Sequence, residues 1–275
     1  MRRREGGGMK AGGGGMASDI DVQQAAAAIA DDIAAGRTFR APPGPPVADM
    51  AAAYAVQDAL TALRGGAGAI GGFKLAFNGA AARAYYGLAE PCIAPVWRRD
   101  IRQDGATLRL AEFHALAIEP EIVLELGRDL DHRPGMTAAD AMQAVAAIRP
   151  AIEVMDHRGA FAQDPPAALA VAQGIHSAGA VLGAPVPPAR LAERHGIVTR
   201  LLIDGAEAGA RPDGAPQDPA EGLVWAAAAL AARGQRLRAG MILLCGTHLP
   251  VRTVAAPGRI TVDMGGFGTV GFSLV

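Results

Sequence analysis

Glu119 and Glu121 stand two residues apart in the run AIEPEIVLEL (117–126), among Ile118, Ile122, Val123, Leu124 and Leu126. In a strand both carboxylates point to one face. There they repel each other, and each resists leaving water. A third glutamate, Glu153, interrupts a second apolar run, PAIEVMD (150–156). Three convergent carboxylates call for a cation between them. An oxygen-only ligand set suits a hard ion, Mg²⁺ or Mn²⁺, with Ca²⁺ a further fit, rather than zinc. Glu125 shares the alternation, but at roughly 3.3 Å per residue it lies about 13 Å beyond Glu121, which makes it the poorer ligand. The same alternation is met by a solvated face carrying surface acids, with Ile118, Pro120, Ile122 and Leu124 toward the core.

Lys74, alone in the apolar stretch AIGGFKLAFN (69–78), is a candidate electrostatic or acid–base group beside such a site. A surface lysine whose stem covers apolar neighbours fits the same pattern. The six histidines show no H-x-H or H-x-x-x-H spacing and pair with no cysteine as zinc ligands do. His157 and His176 are singled out only because each adjoins a candidate site segment. No G-x-S-x-G, G-x-x-x-x-G-K-[ST] or G-x-G-x-x-G element occurs, so elbow-type hydrolases, P-loop enzymes and Rossmann dehydrogenases lack their signals.

The 275 residues suffice for a large core. A net charge of -1, from 26 basic and 27 acidic residues, with no basic block beyond Arg2–Arg4, argues against nucleic acid or an anionic membrane as partner. Cys92 and Cys245 form no C-x-x-C pair. A reduced cytoplasm is the natural reading, and a disulfide between them stays open. No apolar run reaches the roughly 18 residues of a membrane span, which predicts a soluble protein. Residues 1–16, basic and glycine-rich without an apolar h-region, read as a disordered tail, with Met16 an alternative start.

The elements that must position these groups follow from periodicity and caps. Residues 19–35 read as a helix, with Ser18 or Asp19 as N-cap and Gly36 as its stop, and 47–64 as a second. APPGPP (41–46) joins them as a rigid linker. Residues 69–78 read as a strand and GAAARAYYGL as a short helix. Beyond residue 101 strands dominate: ATLRL, AIEPEIVLEL, PAIEVMD, 176–183, 196–205, 241–246, ITVDMG and GTVGFSLV. Thr137 and Asp140 open a helix expected through Ile148, and Asp218 with Glu221 open one to about Arg233. GGFG (265–268) joins the last two strands as a hairpin. The result is α+β: a tail (1–16), a helical N-terminal region (17–100) and a β-rich catalytic core (101–275), one functional unit.

IEPEIVLELGRDL, followed about thirty residues later by RPAIEVMDHR, resembles the 2-keto-4-pentenoate hydratase and 4-oxalocrotonate decarboxylase family of the fumarylacetoacetate hydrolase-like superfamily. IGGFKLAFN resembles the family's G-x-K segment. GLVWAAAALAARGQRLRAGMILLCGTHL resembles its helix, turn and LTG strand, and APGRITVDMGGFGTVGFSL its closing hairpin. The resemblance implies N-terminal helices on a mixed β-sheet roll or barrel. It implies Glu119, Glu121 and Glu153 as ligands of Mg²⁺ or Mn²⁺, Lys74 and Ser177 as catalytic groups, and Arg158 as a substrate-binding residue. Where the family has an aspartate the chain has Cys92, and its usual D-N-A-S run is Gly174-Ile175-His176-Ser177. Cys92 and His176 thus become candidate catalytic groups.

The resemblance further implies a metal-dependent lyase, a hydratase adding water to a 2-hydroxy-2,4-dienoate or 2-oxo acid in meta-cleavage breakdown of aromatics, working as a homo-oligomer. A decarboxylase of the 4-oxalocrotonate type and a C–C bond hydrolase of the acylpyruvate type are alternatives on the same scaffold, the latter with His176 to activate water. A catalytically impaired structural or activating subunit is the alternative of another kind. The loss of the aspartate and the D-N pair favours it, and the retained Lys74 opposes it.

Overall fold

The computed structural model describes residues 19–275, with side chains from Val22 onward. The tail expected over residues 1–16, Met16 and the Ser18 cap lie outside the described residues. Two helices open the chain, α1 (Asp19–Ala34) and α2 (Met50–Leu63). Asp49 caps α2 by accepting from the Ala52 N–H at 2.8 Å. Ala25, Ala26 and Ile29 of α1 meet Ala53, Val56 and Leu60 of α2, and the small side chains let the two axes approach closely.

The remaining elements follow in chain order: β1 (Ile70–Ala76), α3 (Ala80–Tyr86), β2 (Cys92–Trp97), β3 (Ile101–Gln103), β4 (Ala106–Leu108) and β5 (Leu116–Leu126). Then come α4 (Ala138–Met142), β6 (Val145–Asp156), α5 (Ala167–Ala172), β7 (Ser177–Leu182), β8 (Val198–Ile203) and β9 (Ala206–Pro212). The chain closes with α6 (Pro219–Ala231), β10 (Ile242–Thr247), β11 (Arg252–Thr253), β12 (Gly258–Asp263) and β13 (Thr269–Leu274).

A mixed sheet of eight strands runs β2-β1-β10-β5-β6-β7-β3, with β11 also paired to β5. It curls until β2 touches β7, but no ladder joins those two strands, so the sheet is a roll and not a closed barrel. A second, five-stranded sheet, β4-β13-β12-β8-β9, packs against its convex side through contacts of β12 and β13 with β6. Ile118, Ile122, Leu124, Ile148 and Ile152 meet Ile260, Val262, Val270 and Phe272 there and form the main core. The fold is α+β, with the N-terminal helices laid on a strand-rich mixed core. β1 and β2 arise before residue 101 yet form one edge of the large sheet.

Two expectations change. Thr137 and Asp140 form a complete capping box, but α4 ends at Met142 and β6 begins at Val145. Pro150 cannot sit inside a helix, and Val145 and Ile148 gain ladder partners in Leu126 and Leu124. The stretch CIAPVW, to which the sequence assigns no element, is strand β2, fully buried. Both cysteines are free and buried, so no disulfide joins them. Among the described residues no helix is long and apolar enough to cross a membrane.

Candidate metal centre and active-site cavity

β5 and β6 pair antiparallel over their whole length, and their register sets Glu119 directly opposite Glu153. Directly opposed residues on one face bring their side chains together. Glu121, two residues on, joins them, so that one ligand atom from each of the three glutamates lies within 4.8 Å of the others. The face carrying them is the concave inside of the roll, shared with buried Val96, Val123, Ala151, Leu182 and Leu244. It is not a solvated face: Glu121 is 0% and Glu153 1% exposed. Part of Glu119 remains accessible from the cavity. Glu125, at the far end of the strand, is held by Arg149 at 2.6 Å and takes no part.

Lys74 reaches the group from β1. Its strand runs parallel to β10, close enough that a Cβ on Gly72 would stand 2.2 Å from the Ile242 carbonyl oxygen. Only glycine fits that approach. Lys74 Nζ donates to Glu153 Oε1 at 2.5 Å, and the lysine is 1% exposed. The backbone of β10 supplies a further donor that the sequence reading missed. A register shift between Leu244 and Thr247, with Gly246 at φ +103°, turns the Gly246 N–H onto Glu121 Oε2 at 2.8 Å. Asn78 fixes this bend by donating to the Cys245 carbonyl at 2.8 Å. A glycine in the strand CGTH was the available signal, since glycine inside a strand marks such bulges.

The charges are not balanced by protein alone. Burial, then the charge of Glu153, push the Glu119 carboxyl up to about 8, with Lys74 opposing. Glu121 is raised well above the usual carboxylate range by burial and by Glu153 and Glu119, against the pull of the Gly246 N–H and Lys74. Glu121 Oε1 is buried and has no hydrogen-bond partner. An orphaned buried oxygen beside two more carboxylates is what a hard divalent cation satisfies, so the donor set fits Mg²⁺ or Mn²⁺.

These groups line a cavity of about 760 Å³, walled by Phe77, Tyr86, Met155, Phe161, Leu249 and Val251, with His176 and Arg211 among its polar members. His176 follows Ile175, and both take left-handed backbone at φ +61° and +48°. The turn sets the imidazole between Phe39 and Phe161, at 5.4 Å and 5.7 Å between ring centres. Burial, with Lys74 and Arg158 nearby, lowers His176 to about 3, so it is neutral at pH 7. Across the mouth, Asp164 accepts from the hydroxyls of Tyr85 and Tyr86 and ties α3 to the segment after β6.

The other site residues expected from sequence are placed elsewhere. Ser177 and Arg158 line a second, smaller cavity of about 240 Å³ that shares His176 with the first. Arg158 donates to Gln173 Oε1 and to the Arg37 carbonyl. Cys92 lines neither cavity. It is 1% exposed among Ala53, Val56, Val171 and Ile175, and burial pushes its thiol up to about 11. Lys74, the three glutamates and His176 are thus brought together, and Ser177, Arg158 and Cys92 are not.

A family model described as fumarylacetoacetate (FAA) hydrolase C-terminal matches residues 90–275. The chain belongs to the fumarylacetoacetate hydrolase-like superfamily. Within it, the similarity runs to 2-keto-4-pentenoate hydratases and 4-oxalocrotonate decarboxylases. The chain is 31% identical over 263 residues to a 2-keto-4-pentenoate hydratase of Burkholderia vietnamiensis, covering 93% of this chain and 98% of that protein. It is 30% identical over 235 residues to the TodF product hydratase of Pseudomonas putida, 81% of this chain and 83% of the relative. Among solved structures, 4-oxalocrotonate decarboxylase from Pseudomonas putida G7, complexed with magnesium and adipate, superposes with a TM-score of 0.81 over 94% of this chain and 99% of that one, at 22% identity.

Proposed function

We propose that the protein is a divalent-metal-dependent hydratase that adds water to a 2-hydroxy-2,4-dienoic acid, reacting through its 2-oxo form. For 2-hydroxypenta-2,4-dienoate the balance is one water consumed and 4-hydroxy-2-oxopentanoate formed. The observation that carries this reading is the trio Glu119, Glu121 and Glu153, the last two buried and Glu121 with an unpartnered oxygen, facing a cavity large enough for a small acid. Glu119, Glu121 and Glu153 would hold the cation. When bound, the cation supplies Lewis acidity toward the carboxylate and 2-oxygen of such an acid, and so favours enolate character at C3.

The chain's own residues supply the rest. An ammonium has three donors and Glu153 takes one, which leaves the others of Lys74 for substrate oxygens or for proton delivery. Neutral His176 acts by hydrogen bonding, orienting a water or hydroxyl without adding a charge. Phe161, Tyr86, Met155 and Leu249 give the dienyl tail an apolar wall and exclude bulk water from it. The relatives of similar sequence named as hydratases support water addition over loss of CO₂.

The test is loss of dienol absorbance with Mg²⁺ or Mn²⁺ present, abolished by EDTA, with the 4-hydroxy-2-oxo product identified by mass. Release of CO₂ in its place would make the enzyme a decarboxylase. No metal-dependent turnover of any 2-oxo or 2-hydroxydienoic acid would refute the enzymatic reading.

A further inference from the structure

The smaller cavity, of about 240 Å³, shares only His176 with the larger one and is lined by three guanidiniums. Arg64 follows α2, Arg158 follows β6, and exposed Arg102 stands on β3. Among the described residues neither Arg64 nor Arg158 forms an ion pair. Other part-buried arginines do: Arg149 meets Glu125 at 2.6 Å, and Arg233 meets Asp58. The Arg64 guanidinium lies over the Trp97 ring, 4.5 Å from its centre. Arg158, 4% exposed, donates only to uncharged acceptors, Gln173 Oε1 and the Arg37 carbonyl. A buried cation without a counter-charge is costly. Burial and the charges of Arg99 and Arg158 accordingly lower Arg64 from the usual arginine value, with Asp100 opposing. Burial lowers Arg158 as well, against Asp156 and Asp32.

Three carboxylates line the same cavity, and none of them pairs with these two guanidiniums. Asp156 accepts from the backbone N–H groups of His114, Ala115 and Arg158. Asp100 stands 3.7 Å from Arg99. Glu112 is exposed, where water and salt screen its charge. The Ser177 oxygen is buried and has no hydrogen-bond partner. A free hydroxyl donor therefore shares the cavity with two uncompensated cations.

We propose that this cavity binds a small tetrahedral oxyanion of the sulfate or phosphate class, held by Arg64, Arg158 and Ser177. A guanidinium fork matches two oxygens of such an ion with parallel charge-assisted hydrogen bonds. The Ser177 hydroxyl offers a further donor. Ile33, Phe113 and Val181 supply apolar wall, against which charge-assisted bonds are stronger than in water. With about a third of the volume of the larger cavity, the space suits a compact ion over an extended acid. The anion site and the cation site are thus separate, with His176 between them.

Titration calorimetry of the Mg²⁺-loaded protein with sulfate tests this. Wild type is expected to saturate as a single site with a dissociation constant of about 1 mM. Arg64→Gln and Arg158→Gln should each weaken binding by about tenfold or more, and Ser177→Ala by less. Arg64 is part-exposed at a helix end, so its variant decides the matter even where Arg158→Gln fails to fold. Arg211→Leu and Glu121→Gln, which alter the larger cavity, should leave sulfate affinity unchanged. No saturable binding, or binding that survives Arg64→Gln, would overturn the proposal. Loss of binding in Arg211→Leu or Glu121→Gln would also overturn it, by placing the ion in the larger cavity.

Discussion

Lys74 Nζ lies 2.5 Å from Glu153 Oε1, with both side chains enclosed by the roll. The lysine therefore offsets the charge of one carboxylate of the trio and leaves Glu119 and Glu121 to one another. Breaking a buried pair by removing one partner costs about 3 to 5 kcal/mol, because the other charge is stranded. Lys74→Met should lose about 3 kcal/mol of stability in EDTA, recover part of it in Mg²⁺, and lose activity by at least about 100-fold. Urea titrations with and without the metal measure this. Unchanged stability in EDTA would show that the ion pair is not formed in solution.

The raised carboxyls make stability depend on pH in a definite direction. Glu119, at about 8 when folded, and Glu121, raised well above its usual value, bind protons more tightly in the folded chain than in the unfolded one. Their contribution is complete below the unfolded value near 4.5 and is lost as pH rises toward about 8. Metal-free protein should therefore show a melting temperature that falls between about pH 4.5 and 8. Saturating Mg²⁺ should flatten that fall, and its affinity should rise with pH as protons are displaced. A metal-free melting curve that is flat across this window would contradict the arrangement.

Glu121→Gln separates a ligand from a structural acid. The amide keeps the shape and can still accept from the Gly246 N–H, so metal-free protein should be as stable as wild type or more so. Mg²⁺ affinity should fall by about tenfold or more. Titration calorimetry reads the second effect and thermal melting the first. Unchanged affinity would remove Glu121 from the ligand set.

Cys92 and His176 should behave differently. Cys92→Ala alters a site outside the cavity, where the thiol stays protonated at neutral pH, and should leave kcat within about twofold at a stability cost of about 1 kcal/mol. His176→Ala removes a cavity group and should lower kcat by about 100-fold. Steady-state assays of the two proteins side by side decide this, and a large kcat loss in Cys92→Ala would return the thiol to the chemistry.

Much of the scaffold was legible along the chain because its signals are local. The Asp218 cap, the glycine stop after α1 and the alternation in β5 each depend on residues a few positions apart. Elements whose stability comes from distant partners were harder to read. β2 gains its ladder from β1, and β9, which carries Arg211, gains its ladder from β8. The helix expected through Ile148 yields to a strand because Leu124 and Leu126 lie across the ladder from its second half.

The sequence by itself determined the candidate donor set: three glutamates in two apolar runs, spaced so that a strand presents Glu119 and Glu121 on one face. Whether that face met water was undecided, because alternation specifies which side chains share a side and not what lies beyond them. The tertiary structure decided it by curling the sheet, which buries the acids, sets Glu153 opposite Glu119, and brings Lys74 across from β1. The same curvature leaves Cys92 under the helices and Ser177 and Arg158 in a neighbouring cavity. Such placements depend on strand register and sheet closure, which arise only when segments far apart in the chain pair.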